Sequence, residues 1–384
     1  MSLSNRVILP GQTIGIIGGG QLGRMMAIAA KAQGFRIAVL DPTEDSPCGQ
    51  IADYKIVDAY DSLSAIKKLA EISDVITYEF ENIDAVCLEW LTNNAYVPQG
   101  SALLEITQDR VKEKKAIEQA GINIAPYVVV EKARDIYNGL AELGYPAVLK
   151  TARGGYDGKG QYVIKESSQI AEAEKLLNNG VCVLEKWISF NKEISVIITR
   201  SGKGEATVFP VSENIHLNNI LHESIVPARI SDLAKDLAIE KASKLAENLN
   251  LVGTLAVEMF LTEDEEIYIN ELAPRPHNSG HYTIEACETS QFEQHIRAVC
   301  NWPLASTRLL RPTVMVNILG QHQGKVIGQI PELQDWKIHL YGKQDPKENR
   351  KMGHATLLRS SVEMALDEIE NTHIWKVQKE KIGG

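Results

Sequence analysis

Residues 270–281 read Asn-Glu-Leu-Ala-Pro-Arg-Pro-His-Asn-Ser-Gly-His and directly follow a short apolar run, Ile-Tyr-Ile at 267–269. The stretch brings carboxylate, amide, guanidinium and imidazole groups together in one segment. Pro274 and Pro276 lack backbone donors and fix φ, so the chain cannot continue there as a helix or a central strand. Because folding alone has little use for so many polar groups at the end of a buried strand, the stretch predicts a functional site.

Glu258 lies shortly upstream, in a second apolar run at 255–261. An acidic segment at 262–266 separates this run from the one at 267–269. If the two runs pair as a hairpin with a four-residue loop, Glu258 lies opposite Glu271, and a one-residue shift puts it opposite Asn270. Facing carboxylates destabilise a sheet unless a cation lies between them. Two carboxylates and an amide oxygen favour Mg²⁺ and its bridging phosphates over zinc. The alternative is a solvated edge hairpin with surface glutamates.

Length and composition fit a globular protein of two or three domains, since 384 residues can bury a sizeable core. The net charge of −10 argues against general nucleic-acid binding, although a local basic pocket could still hold a small phosphate ester. Five scattered cysteines without a CxxC pair are typical of reduced thiols in the cytoplasm. There is no signal pattern and no apolar run of membrane-spanning length, so we expect a cytoplasmic protein without membrane partners.

The N-terminal segment predicts a parallel sheet. A strand pattern at 13–18 leads into a glycine turn at 18–23 and an alanine-rich helix, and further strands end near Asp41 and residue 77. Glycines at 18, 20 and 23, with Asp41 roughly twenty residues on, match a dinucleotide-binding fingerprint. The same turn could instead hold a sugar phosphate at the helix N-terminus, or serve only close packing. All three interpretations stay open on this local pattern.

A second glycine-rich segment follows an apolar strand that ends in Lys150. Residues 154–160 contain four glycines whose backbone N–H groups could face phosphate oxygens, and Lys159 adds positive charge. The spacing is not that of a P-loop, and the alternative is a β-hairpin with a glycine turn. The two lysines and Asp157 favour a lid that covers phosphates.

Two further segments carry weaker signals. The apolar strand that ends at Glu185, followed by Ile188 and Glu193, could present backbone groups to an adenine edge and a carboxylate to ribose hydroxyls. On its own this is an ordinary strand end. His216, in a loop beyond it, has no independent claim to function, because a lone histidine is more often a surface or core residue.

The order of these features resembles the ATP-grasp superfamily, from about Arg110 to Trp302. A lysine ends a strand, a glycine lid follows, then Glu-x-x-Ile, and then paired acidic strands that end in Asn-Glu. Flanking motifs narrow the resemblance to the 5-(carboxyamino)imidazole ribonucleotide synthases and extend it over essentially the whole chain. These motifs are Gly-Gly-Gly-Gln-Leu-Gly-Arg-Met at 18–25, Tyr-Glu-Phe-Glu-Asn at 78–82, Gly-Gly-Tyr-Asp-Gly-Lys-Gly-Gln at 154–161, the stretch 270–281, and His-Leu-Tyr-Gly-Lys at 339–343.

The resemblance implies a mixed fold of the α/β and α+β classes in three domains. We expect a Rossmann-like N-terminal parallel-sheet domain at 1–108, an ATP-grasp domain at 109–305 with a lid subdomain at about 125–192, and a small β-rich C-terminal domain at 306–384. The implied reaction forms carboxyphosphate and ADP from ATP and bicarbonate and then carboxylates the amine of aminoimidazole ribonucleotide, with Mg²⁺ as cofactor. The resemblance also implies a homodimer and a mutase that receives the product next in the pathway.

The same resemblance implies roles for individual residues. Arg275 and His277 would lie where bicarbonate or carboxyphosphate forms, while Tyr156 and Asp157 would reach the amine from the lid, with Asp157 as the candidate base. The implied metal ligands are Glu258 and Glu271. The implied ATP-binding residues are Arg110, Lys150, Gly155, Tyr156, Asp157, Gly158, Lys159, Gly160, Gln161, Glu185, Lys186, Trp187, Ile188, Glu193, His216, Asn270 and Glu271. The implied ribonucleotide-binding residues are Gly20, Gln21, Leu22, Glu79, Glu81, Asn278, Lys343 and Arg350.

Three other functions remain alternatives to this hypothesis. The nearest is an ATP-grasp ribonucleotide transformylase of the purine pathway that uses formate. A nicotinamide-dependent oxidoreductase built on the N-terminal glycine turn would bind NAD or NADP, which we do not expect. A non-catalytic nucleotide-binding module would bind ATP without turnover.

Overall fold

The N-terminal layer is a parallel sheet, as the sequence predicts. The computed structural model describes residues 6–155 and 158–375, so the predicted roles of Tyr156 and Asp157 fall outside the described residues. Four strands pair in the order β3-β2-β1-β4. The elements of this layer are β1 (Thr13–Ile17), α1 (Gln21–Ala32), β2 (Arg36–Leu40), β3 (Tyr54–Ile56), α2 (Leu63–Ile72), β4 (Val75–Tyr78) and α3 (Ala85–Asn94).

A second, antiparallel sheet forms the predicted lid region. Its four strands pair in the order β5-β8-β6-β7, and the glycine-rich segment 152–160 connects β6 to β7. β6 and β7 therefore pair as a hairpin, while the phosphate role of the segment between them stays a prediction. The helices α4 (Ala102–Thr107) and α5 (Arg110–Gln119) precede this region. Its elements are β5 (Tyr127–Val130), α6 (Ala133–Leu143), β6 (Ala147–Thr151), β7 (Gln161–Ile164), α7 (Ile170–Ala173) and β8 (Cys182–Lys186).

The third sheet has nine strands and runs through the rest of the chain. Eight of them pair in the order β14-β13-β9-β11-β12-β15-β17-β16. The ninth, β10, pairs antiparallel with residues 198–200 at the C-terminal end of β9. Its strands are β9 (Lys192–Arg200), β10 (Ala206–Val208), β11 (Ser212–Leu217), β12 (Ile220–Val226), β13 (Gly253–Leu261), β14 (Ile267–Ala273), β15 (Thr313–Leu319), β16 (Lys337–Leu340) and β17 (Lys351–Leu358). The helices that accompany it are α8 (Asp232–Asn248), α9 (Thr283–Ala286), α10 (Gln291–Val299), α11 (Gly320–Gln329) and α12 (Val362–Asn371).

The C-terminal strands continue this large sheet. β12 pairs antiparallel with β15, from Glu223 opposite Val316 to Val226 opposite Thr313. The C-terminal segment contributes the strands β15, β16 and β17, as expected, together with the helices α11 and α12, and its strands extend the large sheet across the predicted boundary at 305/306. The three domain limits themselves stay a prediction. Within the described residues, no helix has both the length and the apolar character needed to cross a membrane.

Two packing faces hold the layers together. On α8, small side chains at Ala234, Ala238 and Ala242 recur every four residues and let the helix lie close to β9 and β13. On α10, Phe292 and Ile296 pack into the apolar cluster that also contains the inner face of α1. α10 also contacts β13, the strand that bears Glu258. The helix therefore links the N-terminal sheet to the hairpin that carries Glu258 and Glu271.

We expect Phe292→Ala to lower the free energy of unfolding by about 3–5 kcal/mol, because it leaves a cavity where the ring is 1 % exposed. Urea unfolding followed by circular dichroism measures the change. As a matched control, Ile28→Ala removes an aliphatic side chain that is 49 % exposed on α1, and we expect a change below about 0.5 kcal/mol. Equal losses in the two variants would contradict the packing role of α10.

Candidate active site

The acidic hairpin is the centre of the site, and a β-bulge gives it its geometry. At the turn Leu261 pairs with Ile267, so residues 262–266 form the loop, one residue longer than predicted. That register would place Glu258 opposite Asn270. A register shift just beyond Met259 corrects it, so that Glu258 pairs with Glu271 and Asn270 is the extra residue. The predicted pairing of Glu258 with Glu271 is confirmed. Between the loop and the bulge the strands follow the shifted register, and beyond the bulge they follow the register in which Glu258 faces Glu271.

The two facing carboxylates are in an unfavourable environment for charge. Burial raises the pKa of Glu258 to about 8, and the neighbouring charge of Glu271 acts in the same direction. The side chain of Glu258 is 16 % exposed and that of Glu271 is 44 % exposed. With the Asn270 amide beside them, they form a hard oxygen donor set that lines one cavity, and Glu271 also lines a second. A divalent cation that takes its other ligands from phosphate and water fits this set.

Positive charge reaches Glu271 from α5. Asp109 caps this helix by accepting from the backbone N–H groups of Val111 and Lys112, which places Arg110 in the first turn. Arg110 Nη2 lies 3.7 Å from Glu271 Oε2, and its Nη1 is buried without a hydrogen-bond partner among the described residues. An orphaned guanidinium nitrogen beside a cavity suits an anionic ligand.

Lys114 is a site residue that our sequence analysis missed. It lies one helical turn beyond Arg110, is 2 % exposed, and its Nζ is 3.2 Å from Glu185 Oε1. Lys150 Nζ holds the other oxygen of Glu185 at 2.9 Å. Burial alone would raise the pKa of Glu185, but Lys150, Lys114 and Arg110 together lower it to about 2. The i, i+4 spacing of Arg110 and Lys114 was the available signal.

Glu113 is a second missed residue on the same helix. Its Oε1 accepts a hydrogen bond of 2.8 Å from the backbone N–H of Leu272, the residue directly after Glu271. The side chain is buried, and burial raises its pKa to about 7. Glu113 therefore ties the start of α5 to the strand that carries the acidic pair.

The smaller cavity, of about 400 Å³, lies under the lid sheet next to the predicted adenine hinge. Here Glu193 Oε2 lies 2.7 Å from His216 Nδ1. Burial would lower the pKa of His216, but the adjacent carboxylate of Glu193 and the charge of Glu258 together outweigh burial and raise it. The predicted residues in the lining of this cavity are Arg110, Lys150, Gly158, Gln161, Glu185, Lys186, Trp187, Ile188, Glu193, His216, Glu258, Asn270, Glu271, His277 and Asn278.

The larger cavity, of about 710 Å³, extends from the acidic hairpin to the N-terminal sheet. It shares Arg110, Lys150, Glu271, His277 and Asn278 with the smaller cavity, so the two spaces meet at the acidic hairpin. The predicted residues that line only the larger cavity are Gly20, Gln21, Leu22, Glu79, Glu81, Gly155, Lys159, Gly160 and Arg275.

The C-terminal cations are placed differently from our expectation. Lys343 and Arg350 line neither cavity, whereas Lys351 lines both. Lys343 Nζ donates to the backbone carbonyl of Lys351 at 2.9 Å, and Arg350 is exposed, with Nη1 donating to the carbonyl of Asp345 at 3.1 Å. A contribution of Lys343 and Arg350 to phosphate binding stays a prediction. Arg350 and Lys351 are adjacent at the start of β17, where neighbouring side chains point to opposite sides of the strand. The sequence alone could not show which of the two lines the cavities.

The glycine turn before α1 is occupied by the protein's own carboxylates. Glu79 Oε2 accepts from the Gly20 N–H at 2.7 Å, Glu79 Oε1 accepts from the Leu22 N–H at 3.3 Å, and Asp41 accepts from the Gly19 N–H at 2.7 Å. Burial raises the pKa of Glu79. A Cβ at Gly20 would collide with the Glu79 carboxylate, which supports the close-packing interpretation of the glycines. In this conformation the backbone N–H groups of Gly20 and Leu22, two of the donors predicted for a phosphate, are already used.

The turn after β14 supplies polar groups of a different kind. Arg275 Nε lies 3.1 Å from Glu81 Oε1, so this pair links the turn to the N-terminal sheet. Burial, with the charges of Arg275 and Lys351, holds the pKa of His277 well below its usual range, so the ring is neutral. Asn278 is 8 % exposed, and neither its amide oxygen nor its nitrogen has a partner among the described residues. A buried amide with both atoms open to a cavity is suited to a ligand that donates and accepts.

The fold and this site together define an ATP-grasp ligase. A family model described as the ATP-grasp domain matches residues 115–292, the ribonucleotide synthetase preATP-grasp domain matches 11–108, and the phosphoribosylaminoimidazole carboxylase C-terminal domain matches 313–368. The preATP-grasp match covers the parallel sheet, the ATP-grasp match covers the lid sheet and strands β9–β14 of the large sheet, and the C-terminal match covers strands β15–β17 of the large sheet.

Relatives with solved structures or curated functions are similar over nearly the whole chain. The N5-carboxyaminoimidazole ribonucleotide synthase of Bacillus subtilis is 57 % identical over 96 % of this chain and 97 % of its own. A solved ADP complex of an N5-carboxyaminoimidazole ribonucleotide synthetase is 61 % identical, with a TM-score of 0.95 over 97 % of this chain and 98 % of its own. The Aspergillus clavatus enzyme in complex with ADP and 5-aminoimidazole ribonucleotide is 30 % identical, with a TM-score of 0.89 over 94 % and 97 %. The chain belongs to the N5-carboxyaminoimidazole ribonucleotide synthase family.

We expect the metal-free protein to lose stability as the pH rises from about 4.5 to about 8. Because the pKa of Glu258 is raised from 4.5 to about 8, the folded state binds more protons than the unfolded state in this window. The contribution of this carboxyl is complete below pH 4.5 and is lost as the pH rises through 8. Glu258→Gln, which cannot ionise, should flatten the pH dependence of the unfolding free energy, measured by urea unfolding.

The matched control is Glu263→Gln in the exposed loop of the same hairpin, which should leave the pH dependence of wild type unchanged. If Glu258→Gln and wild type show the same slope between pH 4.5 and 8, the burial of a charged pair at this position is not the source of the effect.

Proposed function

We propose that this chain uses ATP and bicarbonate to carboxylate 5-aminoimidazole ribonucleotide, giving N5-carboxyaminoimidazole ribonucleotide, ADP and phosphate in purine biosynthesis. One observation carries the proposal: the acidic hairpin stands where two cavities meet, with ATP-grasp elements on one side and the turn 274–278 on the other. The names and ligands of the relatives support the same substrates.

ATP occupies the smaller cavity. Glu185 is already held by two lysines, so the adenine edge is bound through backbone groups of residues 185–188 rather than through that carboxylate. Glu193, with His216 beside it as an ion-pair partner, faces the ribose hydroxyls. The β and γ phosphates extend toward Arg110 and Lys150 under the glycine segment, whose positive-φ glycines Gly158 and Gly160 allow close backbone approach.

Glu258 and Glu271, with Asn270 beside them, would hold Mg²⁺. This ion would neutralise charge on the phosphates and so favour attack by a weak nucleophile. The donor chemistry fits, since two carboxylates and an amide oxygen suit a hard cation, and burial beside Glu271 raises the pKa of Glu258, a cost that a cation would relieve. The chain's own part is to hold both carboxylates at a fixed separation and to supply Arg110 and Lys150 as additional positive charge.

Bicarbonate lies on the substrate side of the hairpin, against the turn that carries Arg275, His277 and Asn278. The planar guanidinium of Arg275 suits a planar anion, and the open amide of Asn278 can accept from its hydroxyl and donate to its oxygen. Alignment of this anion with the γ phosphate supplies much of the acceleration, because the reaction becomes effectively intramolecular. The lid excludes water until the amine attacks carboxyphosphate.

The ribonucleotide occupies the larger cavity, which reaches from the turn 274–278 to the start of α1. Glu79 and Glu81 stand at its N-terminal wall, and Lys351 reaches it from the C-terminal strands. Tyr156 and Asp157 keep their predicted roles of orienting the amine and accepting its proton. We further propose a cytoplasmic homodimer whose labile product passes to a mutase, as the family resemblance implies.

Phosphate release by the purified protein with ATP, Mg²⁺ and 5-aminoimidazole ribonucleotide tests the function directly. We expect release to require the ribonucleotide and to rise with added bicarbonate after carbon dioxide has been removed from the buffers. Formate in place of bicarbonate is the matched control for the transformylase alternative. Release that responds to formate but not to bicarbonate would overturn the proposal, and nucleotide binding without any release would favour a non-catalytic module.

Glu271→Gln should lower kcat about 100-fold or more, because it removes one of the two carboxylates that hold the cation. Glu271→Ala should abolish turnover. Since the side chain of Glu271 is 44 % exposed, the fold should remain intact, with an unfolding midpoint close to that of wild type. Glu266→Gln, in the exposed loop of the same hairpin, is the control and should keep normal activity. Near-normal turnover in Glu271→Ala would contradict the metal role.

A further inference from the structure

His277 is held on its Nδ1 side by two groups of Ser279. The backbone N–H of Ser279 lies 3.3 Å from Nδ1, and the Ser279 hydroxyl oxygen lies 2.9 Å from it. Because a backbone N–H can only donate, Nδ1 accepts and carries no proton. The proton of the neutral ring is therefore on Nε2, which lies on the side of Glu258 and the two cavities.

The Ser279 hydroxyl is the last link of a directed hydrogen-bond chain. Ser224 Oγ donates to Asn214 Oδ1 at 2.9 Å, Asn214 Nδ2 donates to Ser195 Oγ at 2.9 Å, and Ser195 Oγ donates to Ser279 Oγ at 2.7 Å. Because Ser195 directs its single proton to Ser279, the hydroxyl proton of Ser279 is left for His277 Nδ1. Every donor in the chain then points toward the imidazole, and such chains polarise one another.

The position of this chain in the fold argues for a role at the site. Ser195, Ser224 and Ser279 are fully buried and Asn214 is 4 % exposed, so each hydroxyl and amide has been removed from water at a cost. Three of the four residues stand on neighbouring strands, β9, β11 and β12, where apolar side chains would pack without that cost. This chain of donors ends at the ring of His277, which lines both cavities. We infer that the direction of its hydrogen bonds is what the chain contributes to the site.

We propose that Ser195 and Ser279, backed by Asn214 and Ser224, are positioning residues that fix His277 as a hydrogen-bond donor through Nε2. In this tautomer His277 donates to the anion that lies against Arg275, and it does not accept a proton at that nitrogen. The proposal rests on the proposed function only for the identity of the anion.

The geometry leaves the Nε2 proton available to a ligand. Glu258 Oε1 is 3.5 Å from Nε2, which is long for a hydrogen bond, so the carboxylate is a distant acceptor. A neutral donor stabilises negative charge that develops on a bicarbonate or carboxyphosphate oxygen without adding a charge beside Arg275. The proton of the attacking amine must then go to a group other than His277.

Nitrogen NMR of the imidazole ring tests the tautomer without any assay of activity. Long-range proton–nitrogen spectra of uniformly ¹⁵N-labelled protein report which ring nitrogen is protonated, and the His277 signals among the nine histidines are those that disappear in His277→Gln. We expect the Nε2–H pattern in wild type. In Ser279→Ala the 2.9 Å contact of the hydroxyl is lost and only the longer 3.3 Å contact of the backbone N–H remains on Nδ1, so we expect a shift toward the tautomer average. An Nδ1–H pattern in wild type, or an unchanged pattern in Ser279→Ala, would overturn the proposal.

Steady-state kinetics test the consequence for the reaction. We expect Ser279→Ala and Ser195→Ala each to lower kcat/KM for bicarbonate by about threefold to tenfold, the value of one hydrogen bond, with KM for ATP unchanged. Ser195→Ala also serves if Ser279→Ala does not fold. The control is Ser212→Ala, a buried serine whose Oγ is 2.7 Å from Ser195 Oγ but which lies off the route to His277. Equal losses in all three variants would mean that the serines only stabilise the fold.

Two substitutions of His277 itself separate a donor from a proton acceptor. His277→Gln keeps an N–H donor near the position of Nε2 but offers no base, whereas His277→Met keeps the length and offers neither. We expect His277→Gln to retain at least about tenfold more kcat/KM for bicarbonate than His277→Met, and equal losses would contradict the donor role. If wild type itself shows no bicarbonate-stimulated release, the proposed function fails, while the NMR result still decides the tautomer.

Discussion

Glu258 and Glu271 face each other across β13 and β14, and two carboxylates so close in a buried part of a sheet repel each other unless a proton or a cation intervenes. Burial, with the charge of Glu271, raises the pKa of Glu258. Protonation of Glu258 relieves the repulsion at low pH. A cation bound together with ATP phosphates, as we propose, would relieve it at neutral pH, so the pair would couple folding stability, pH and ligand binding at one point.

The positive groups around this pair come from different parts of the fold, and buried ion pairs hold them in place. Arg110 and Lys114 share one face of α5, while Lys150 ends β6 in the lid sheet. Glu185 holds both lysines, one on each oxygen, and removal of a buried partner of this kind is strongly destabilising. Phosphates that contact Lys150 therefore compete with Glu185 for it. The lid sheet and α5 thus share one electrostatic network, which positions the lid relative to the acidic hairpin before a ligand binds.

The sequence predicted the elements of this site better than their exact arrangement. Apolar runs and turn residues were enough to predict the hairpin and the pairing of Glu258 with Glu271, because a two-residue period and a loop length define a register. The bulge at Asn270 was missed, although it leaves one mark in the sequence: the buried apolar residues are two positions apart at Ile267 and Ile269 but three apart from Ile269 to Leu272. Lys114 and Lys351 were also missed. Their sequence neighbours are also charged, and only the three-dimensional fold shows that Lys351 lines the cavities and that Lys114 reaches the site through its ion pair with Glu185.

The N-terminal glycine turn shows how one pattern can serve two different structures. The glycines allow backbone N–H groups to converge at the start of α1, where partial positive charge attracts an anion. In a dinucleotide-binding protein that anion is the pyrophosphate. Here Glu79 and Asp41 approach from the ends of β4 and β2 and accept those N–H groups, so the protein supplies the negative charge itself. The glycine fingerprint therefore marks a helix start that needs an anion, and the acidic residue after β4 decides whether a ligand or the chain provides it.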